Sequence, residues 1–341
     1  MSSLVTTFYG FIPRIEAVKG EITDYSENAI WIMNAAWDGF PDDKKNVLTE
    51  HLDDVVADLQ DSGITYVFVF VGYWNPTDST IGYTMTDSQM TKIVNALHSI
   101  NCTVLAWAED NGAIDVTPAN RNKLYNEISK CMNKGFDGYN DDIENYVGAL
   151  QDWIDYENIA TSVLHDLGKI MTADVPYDWQ QNINPYLRMD YIVTMFYSNR
   201  SAFEDPQARK YWQANFGQYQ GNNNPPSSPL ILGIMNYYGN LHPLSWQLSW
   251  IDNELSSGDG HPQLVGFSIW LYEYMSDADW KTWRNWVTTP IPTQAPGSVP
   301  VLPSPSIELP SILILDLCMD LFTILTLIGA LFIRRKSKSK K

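Results

Sequence analysis

Residues 137–144 read Asp137-Gly-Tyr-Asn-Asp-Asp-Ile-Glu144, a run with four carboxylates set between two helix-like stretches. Side chains alternate along a β-strand. Read as a strand, Gly138–Glu144 projects Asn140, Asp142 and Glu144 from one face, with Glu144 at the C-terminal end. Asp141 points the other way, toward the helices, and requires a partner there. Hydrogen-bonding side chains in such a row are costly to bury without partners. The pattern is that of a site in which one carboxyl group is held beside another.

Working outward, strand-like and helix-like segments alternate eight times, the order of a parallel α/β barrel. The expected strands are Thr6–Ile12, Thr65–Tyr73, Thr103–Glu109, Gly138–Glu144, Ile170–Pro176, Tyr191–Tyr197, Leu230–Tyr237 and Val265–Leu271. Amphipathic stretches Val47–Leu59, Met90–Ile100, Pro118–Lys134, Leu150–Leu167 and Ala208–Tyr219 lie between them. Pro118 suits a first helical turn, where its missing N–H costs nothing. Gly63, Gly135 and Gly168 mark helix ends just before strands. The connection from Pro13 to about Asp42 is long for a βα loop. Ala29–Ala36 within it is apolar and reads as an extra strand, a hairpin or the true first barrel strand. A chain of 341 residues holds one barrel of the usual size, about 250 residues, with extensions. The fold class is therefore α/β, a (β/α)8 TIM barrel over residues 1–287.

The run 137–144 resembles the Asp-Gly-x-Asp-x-Asp-x-Glu signature of glycoside hydrolase family 18, the chitinase-like (β/α)8 barrels. Asp137, Gly138, Asp142 and Glu144 match, and Asn140 stands where the pattern has Asp. Met171-Thr-Ala-Asp-Val-Pro176 looks like the family's fifth strand and Met189-Asp-Tyr-Ile-Val-Thr-Met-Phe-Tyr197 like its sixth. Leu230-Ile-Leu-Gly-Ile234 resembles the seventh and Gly266-Phe-Ser-Ile-Trp270 the eighth, all in the family's order. The resemblance implies that Glu144 protonates the glycosidic oxygen. Asp142 would orient the substrate's acetamido group, whose oxygen is the nucleophile, an exception to the usual pair of protein carboxylates. It implies that Tyr197 positions the acetamido oxygen and that Trp270 floors the cleavage subsite. Ser198 replaces the Asp or Asn that follows this Tyr in the family. Asn140 can hydrogen-bond Asp142 but can hold neither a proton nor a negative charge, so a shifted pH profile or weaker activity is expected.

Active sites of such barrels gather at the C-terminal ends of the strands. That rule selects Tyr9, Trp74, Trp107, Glu109, Asp142, Glu144, Asp174, Tyr197, Asn236, Trp270 and Glu273 as lining groups. Catalysis is assigned to Glu144, Asp142 and Tyr197, and substrate binding to Asn140, Trp270, Tyr9, Trp107, Asn236 and Trp74, with Trp179 as a further outer subsite. Asp142 beside Glu144 is expected to hold the Glu144 proton near neutral pH by like-charge repulsion. Glu109 or Glu273 paired with Glu144 would instead make a two-carboxylate glycosidase, and a silent cleft would make a glycan-binding barrel. The pairs Trp246/Trp250 and Trp280/Trp283 have helical spacing and read as core.

Composition narrows the partners. The formal charge is −18, and residues 1–289 alone carry 16 Lys/Arg against 37 Asp/Glu, a net of −21. Such a surface repels phosphate backbones, which excludes nucleic acid. A neutral oligosaccharide or polysaccharide is indifferent to it, and the aromatic content of 13% suits sugar stacking. Cys102, Cys131 and Cys318 make no disulfide framework, and the five His show no metal-ligand spacing, so neither metal nor cofactor is expected.

From residue 288 seven prolines punctuate small and hydroxylated residues up to 311, an extended spacer. Ile312–Ile333 is apolar and long enough to span a bilayer. Asp316 and Asp320 fall in its spacer-side half, near the headgroups. Residues 334–341 carry six Lys/Arg. The expectation is a single-pass helix at 312–333 with a basic cytoplasmic tail at 334–341 and the barrel outside the cell. Met1–Gly20 has no signal-peptide pattern, so a targeting segment upstream is expected. Asn101-Cys-Thr103 and Asn199-Arg-Ser201 fit the N-glycan acceptor pattern.

Overall fold

A computed structural model describes residues 25–36, 40–176, 186–196, 228–236, 243–255 and 264–288. The chain divides into the units Met1–Gln294 and Ala295–Lys341, and every described residue lies in the first.

Eight parallel strands close into a barrel: β1 (Ala29–Ile32), β2 (Tyr66–Trp74), β3 (Thr103–Asp110), β4 (Gly138–Asp142), β5 (Ile170–Pro176), β6 (Tyr191–Met195), β7 (Leu230–Met235) and β8 (Leu264–Trp270). Closure comes from β1, which pairs with β2 on one side and β8 on the other. The true first strand is therefore Ala29–Ile32, the alternative raised for the long first connection. The barrel is complete without Thr6–Ile12, which lies outside the described residues together with Tyr9. β1 is only four residues long and lies inside a longer apolar run, so its sequence does not set it apart as a barrel strand.

Two apolar layers follow from the pleat. Inward-facing Trp31, Phe68, Phe70, Leu105, Trp107, Val193 and Ile231 fill the barrel. Outward-facing Val67, Val69, Val104, Ala106, Met171 and Leu232 pack under the helices. Those helices include α1 (Val47–Glu50), α2 (Leu52–Leu59), α3 (Asp87–His98), α4 (Arg121–Met132), α5 (Leu150–Asp166), α6 (Leu244–Leu255) and α7 (Asp277–Thr288). Val47–Leu59 is broken at His51 into α1 and α2. Pro118 sits in the turn before α4, not in its first turn. Gly63, Gly135 and Gly168 all take positive φ at the expected helix ends. A capping box starts α3: Thr86 N–H donates to Gln89 Oε1 at 2.8 Å, and Gln89 N–H to Thr86 Oγ1 at 3.3 Å.

Trp280 and Trp283 are buried as their spacing predicted, but Trp246 is 37% exposed and is no core residue. Cys102 and Cys131 are buried free thiols. Among the described residues no helix is long and apolar enough to cross a membrane. The spacer, the apolar segment 312–333 and the basic tail lie outside those residues.

Candidate active site

The run 137–144 has two parts with different tasks. Asp137 and Gly138 build the strand. The Asp137 carboxylate accepts Val104 N–H at 2.9 Å and contacts His98 Nε2 at 2.7 Å, tying the start of β4 to β3 and α3. At Gly138 a Cβ would stand 2.3 Å from the Ile170 carbonyl oxygen, so only glycine lets β4 approach β5 this closely.

Beyond Gly138 the pleat sorts the polar residues. Asn140 and Asp142 face inward, Tyr139 and Asp141 outward. Asp141 finds the partner it required: Tyr156 O–H on α5 donates to its Oδ1 at 3.1 Å. The strand ends at Asp142, earlier than expected, so Glu144 is carried by the following loop and not by the pleat. It is exposed at the C-terminal end of the barrel. That loop is fixed by its backbone. Asp110 Oδ2 accepts both Glu144 N–H (3.0 Å) and Asn145 N–H (2.8 Å). Trp153 Nε1 donates to the Ile143 carbonyl at 3.1 Å. Residues Tyr146–Val147 pair in parallel with Ile114–Asp115. Arg121 ties the same region to α5 through the Asp152 carbonyl at 2.9 Å and its carboxylate at 3.2 Å.

Below Glu144 lie two buried carboxyl groups, Asp142 and Asp174, 8% and 3% exposed. Trp107 Nε1 donates to Asp142 Oδ2 at 3.1 Å. Asn140 Nδ2 donates to Asp174 Oδ2 at 2.7 Å, and Thr172 O–H donates to Asn140 Oδ1 at 2.7 Å. Asn140 therefore serves Asp174, not Asp142 as expected. Burial holds the Asp142 carboxyl well above the usual carboxylate range, and the charges of Asp174 and Glu144 push it further. Burial raises Asp174 likewise, with Glu144 and Asp141 adding and the Asn140 amide opposing. The three carboxyls of Asp142, Asp174 and Glu144 thus act on one another electrostatically. Glu109, opposite Asp142 in the strand register, is part-buried and raised, first by burial and then by Asp110.

Trp270 is half-exposed at the end of β8, edge-on to Trp107 (5.1 Å between ring centroids) and Trp31 (5.5 Å). Its position fits a floor beside Asp142. Asn236 is half-buried, and its Nδ2 donates to the Tyr274 carbonyl at 3.0 Å.

Three assignments are corrected. Trp74 is fully buried on the helix side, where its Nε1 donates to Tyr139 Oη at 3.0 Å, so it offers no sugar platform. The cause is a bulge between Phe70 and Gly72 that shifts the pleat by one residue. Gly72 permits it, because a Cβ there would meet the Gly82 carbonyl oxygen at 2.2 Å. Tyr73 takes the inward position instead, 39% exposed, its hydroxyl raised first by burial and then by the Glu109 charge. Trp107 is fully buried and presents Asp142 with an N–H, not a sugar with a face. Glu273 is no nucleophile: it is 1% exposed and its Oε1 accepts Met33 N–H (2.8 Å) and Asn34 N–H (3.0 Å). Tyr197, Ser198 and Trp179 lie outside the described residues, as does Tyr9. Tyr73 and Asp110 were missed. The glycine inside β2 was the available sign of a bulge. Asp110 gave no sign, since its partners are backbone amides of a distant loop. Among the described residues no group of three or more His, Cys, Asp or Glu is arranged to hold a metal ion.

No family model and no curated protein matches the sequence. Solved structures do match in fold. A chitinase from Chromobacterium violaceum superposes with a TM-score of 0.53 at 12% identity, over 77% of this chain and 99% of its own. The spore cortex-lytic enzyme SleL of Bacillus megaterium gives 0.53 at 9% identity, over 77% and 74%. A chitinase-like agglutinin from Robinia pseudoacacia gives 0.51 at 12%, over 68% and 96%. This chain has the barrel fold of family 18 chitinases and chitinase-like proteins.

Proposed function

We propose that this protein is a glycoside hydrolase of the chitinase-like kind, cleaving β-linked N-acetylhexosamine glycans with retention of configuration. The observation that carries this reading is an exposed Glu144, fixed by its backbone at the barrel mouth, in electrostatic contact with the buried Asp142. Glu144 gives its proton to the leaving glycosidic oxygen as the substrate's acetamido oxygen attacks the anomeric carbon. Asp142, held by Trp107, accepts the acetamido N–H, and the negative charge of the buried Asp142/Asp174 pair stabilises the positive charge of the oxazolinium-like intermediate. Water then opens that ring, with Glu144 taking back the proton. Tyr197 orients the acetamido group, and Trp270 and Tyr73 give the sugars aromatic contacts. The apolar segment 312–333 and the basic residues after it support a membrane-anchored enzyme with the barrel outside the cell.

A second reading is a glycan-binding barrel without turnover. It is favoured by Asn140, which leaves Asp142 for Asp174, and by the agglutinin among the proteins of similar fold. The two are separated by release of reducing ends from N-acetylglucosamine oligomers by wild type and Glu144→Gln. Hydrolysis that the variant loses supports the enzyme; binding by both with hydrolysis by neither supports the binding module. Hydrolysis of non-acetylated oligomers alone would assign the chemistry to Glu144 and Glu109 as a protein carboxylate pair.

A further inference from the structure

Position 140 is an amide, and the carboxyl it binds stands one strand away, on β5. Asp174 lies on the inward face of β5, 3% exposed, bound to Asn140 Nδ2 at 2.7 Å through Oδ2. Its Oδ1 has no hydrogen-bond partner among the described residues. The Trp31 indole N–H lies on the same side and also favours the anion, without a hydrogen bond of normal geometry. Among the described residues Asp174 forms no ion pair. Its charged neighbours are all acidic: Asp142 on the inner face of β4, Glu144 on the loop above, Asp141 on the outer face of β4, and Glu157 behind it on α5.

We propose that Asp174 is a positioning residue that carries the site's buried negative charge from β5, with Asn140 as the amide that holds it there. Two enclosed carboxyls side by side do not both ionise near neutral pH. The short bond from Asn140 favours the anion on Asp174. The remaining proton is then kept on Asp142, directly under Glu144. The amide stands on β4 and the acid on β5. This inference deepens the hydrolase reading and rests on it for its catalytic meaning, but its physical content is a charge pair that exists without substrate.

The test is a carboxyl titration of the full chain, labelled with 13C at the aspartate carboxyls, in wild type, Asp174→Asn and the exchange variant Asn140→Asp/Asp174→Asn. Asp174→Asn removes the like charge, so the Asp142 titration moves to lower pH by at least about one unit, a tenfold loss of proton affinity. The exchange variant returns the charge to the cluster with the same set of atoms, and the Asp142 titration returns toward the wild-type value. An Asp142 titration that stays put in Asp174→Asn overturns the proposal. So does a folded exchange variant that fails to restore it, or an exchange variant that does not fold when Asp174→Asn does. If Asp174→Asn itself does not fold, a folded exchange variant with the wild-type Asp142 titration supports the proposal and a displaced one overturns it; failure of both to fold overturns it. In turnover, the pH limb set by the acid cluster moves with the same sign and is restored by the exchange, whereas a purely structural loss lowers kcat at every pH alike. Titrations that shift as expected in a protein that hydrolyses no glycan retain the charge pair and remove the hydrolase reading.

Discussion

The two faces of β4 carry similar chemistry and are used differently. On the inner face Asp142 and Asp174 are enclosed beneath Glu144, which is open to solvent. On the outer face Asp141 and Glu157 are enclosed beneath α5, 1% and 0% exposed, with Tyr156 as the donor. Burial raises the acids on both faces: Asp141 to about 6, and Glu157 well above its usual range, with the Asp141 charge adding to the latter. A displaced proton affinity therefore does not by itself mark a site. The inner pair differs in having a solvent-exposed carboxyl within electrostatic reach and an aromatic floor beside it.

The comparison can be strained first at the bulge in β2, where neighbouring aromatics face opposite layers. Trp74→Ala should cost about 3–5 kcal/mol of stability, the usual price of emptying a buried Trp site, with the loss read by denaturant unfolding. A loss below about 1 kcal/mol would show that Trp74 is not enclosed by the outer layer. Next in size is Trp107→Phe, which keeps the ring and removes the N–H on Asp142. A buried acceptor left without its donor costs about 1–3 kcal/mol. A fall in kcat of about tenfold or more, with KM little changed, is expected from steady-state kinetics.

The outer acids make a prediction of opposite kind, in stability and not in rate. Asp141 and Glu157 have higher proton affinity folded than unfolded. Their contribution is complete below the ordinary carboxylate range, near pH 4, and is lost as pH rises through the folded values, about 6 for Asp141. Wild type should lose melting temperature between pH 5 and pH 7 from this source. Glu157→Gln should flatten that fall by a few degrees, at about 2–4 °C per kcal/mol for a protein of this size, without moving kcat. The smallest effect is expected at Tyr73→Ala, a two- to tenfold rise in KM with kcat unchanged, about 0.5–1.5 kcal/mol of aromatic contact. A fall in kcat of similar size would move Tyr73 from the rim of the cleft to its chemistry.

Most of the barrel was legible because short apolar runs bounded by turn residues alternate with amphipathic helices along the sequence. Seven of the eight strands were placed within a few residues, and Gly63, Gly135 and Gly168 marked helix ends correctly. β1 was obscured by its length of four residues and by the strand-like run Thr6–Ile12 ahead of it. Trp74 was misassigned because a place at a strand's C-terminal end does not fix the face of the side chain, and the bulge turns this one outward. At the site, the inward direction of Asn140 and Asp142 and the outward direction of Asp141 followed from the pleat. The partner of Asn140 did not, since Asp174 is brought in by the β4–β5 register, which no local pattern encodes. The clamp of Asp110 on the Glu144 backbone is likewise a contact between distant loops.

The central claim is that Glu144 delivers a proton to the departing oxygen. It is tested most directly by measuring kcat/KM of wild type and Glu144→Gln on two substrates that differ only in the leaving group. One carries an N-acetylglucosamine unit, which must be protonated to leave; the other carries a dinitrophenolate, which need not be. A loss of about 10²–10⁴-fold on the first and a much smaller loss on the second is the predicted result. Equal losses on both would contradict it.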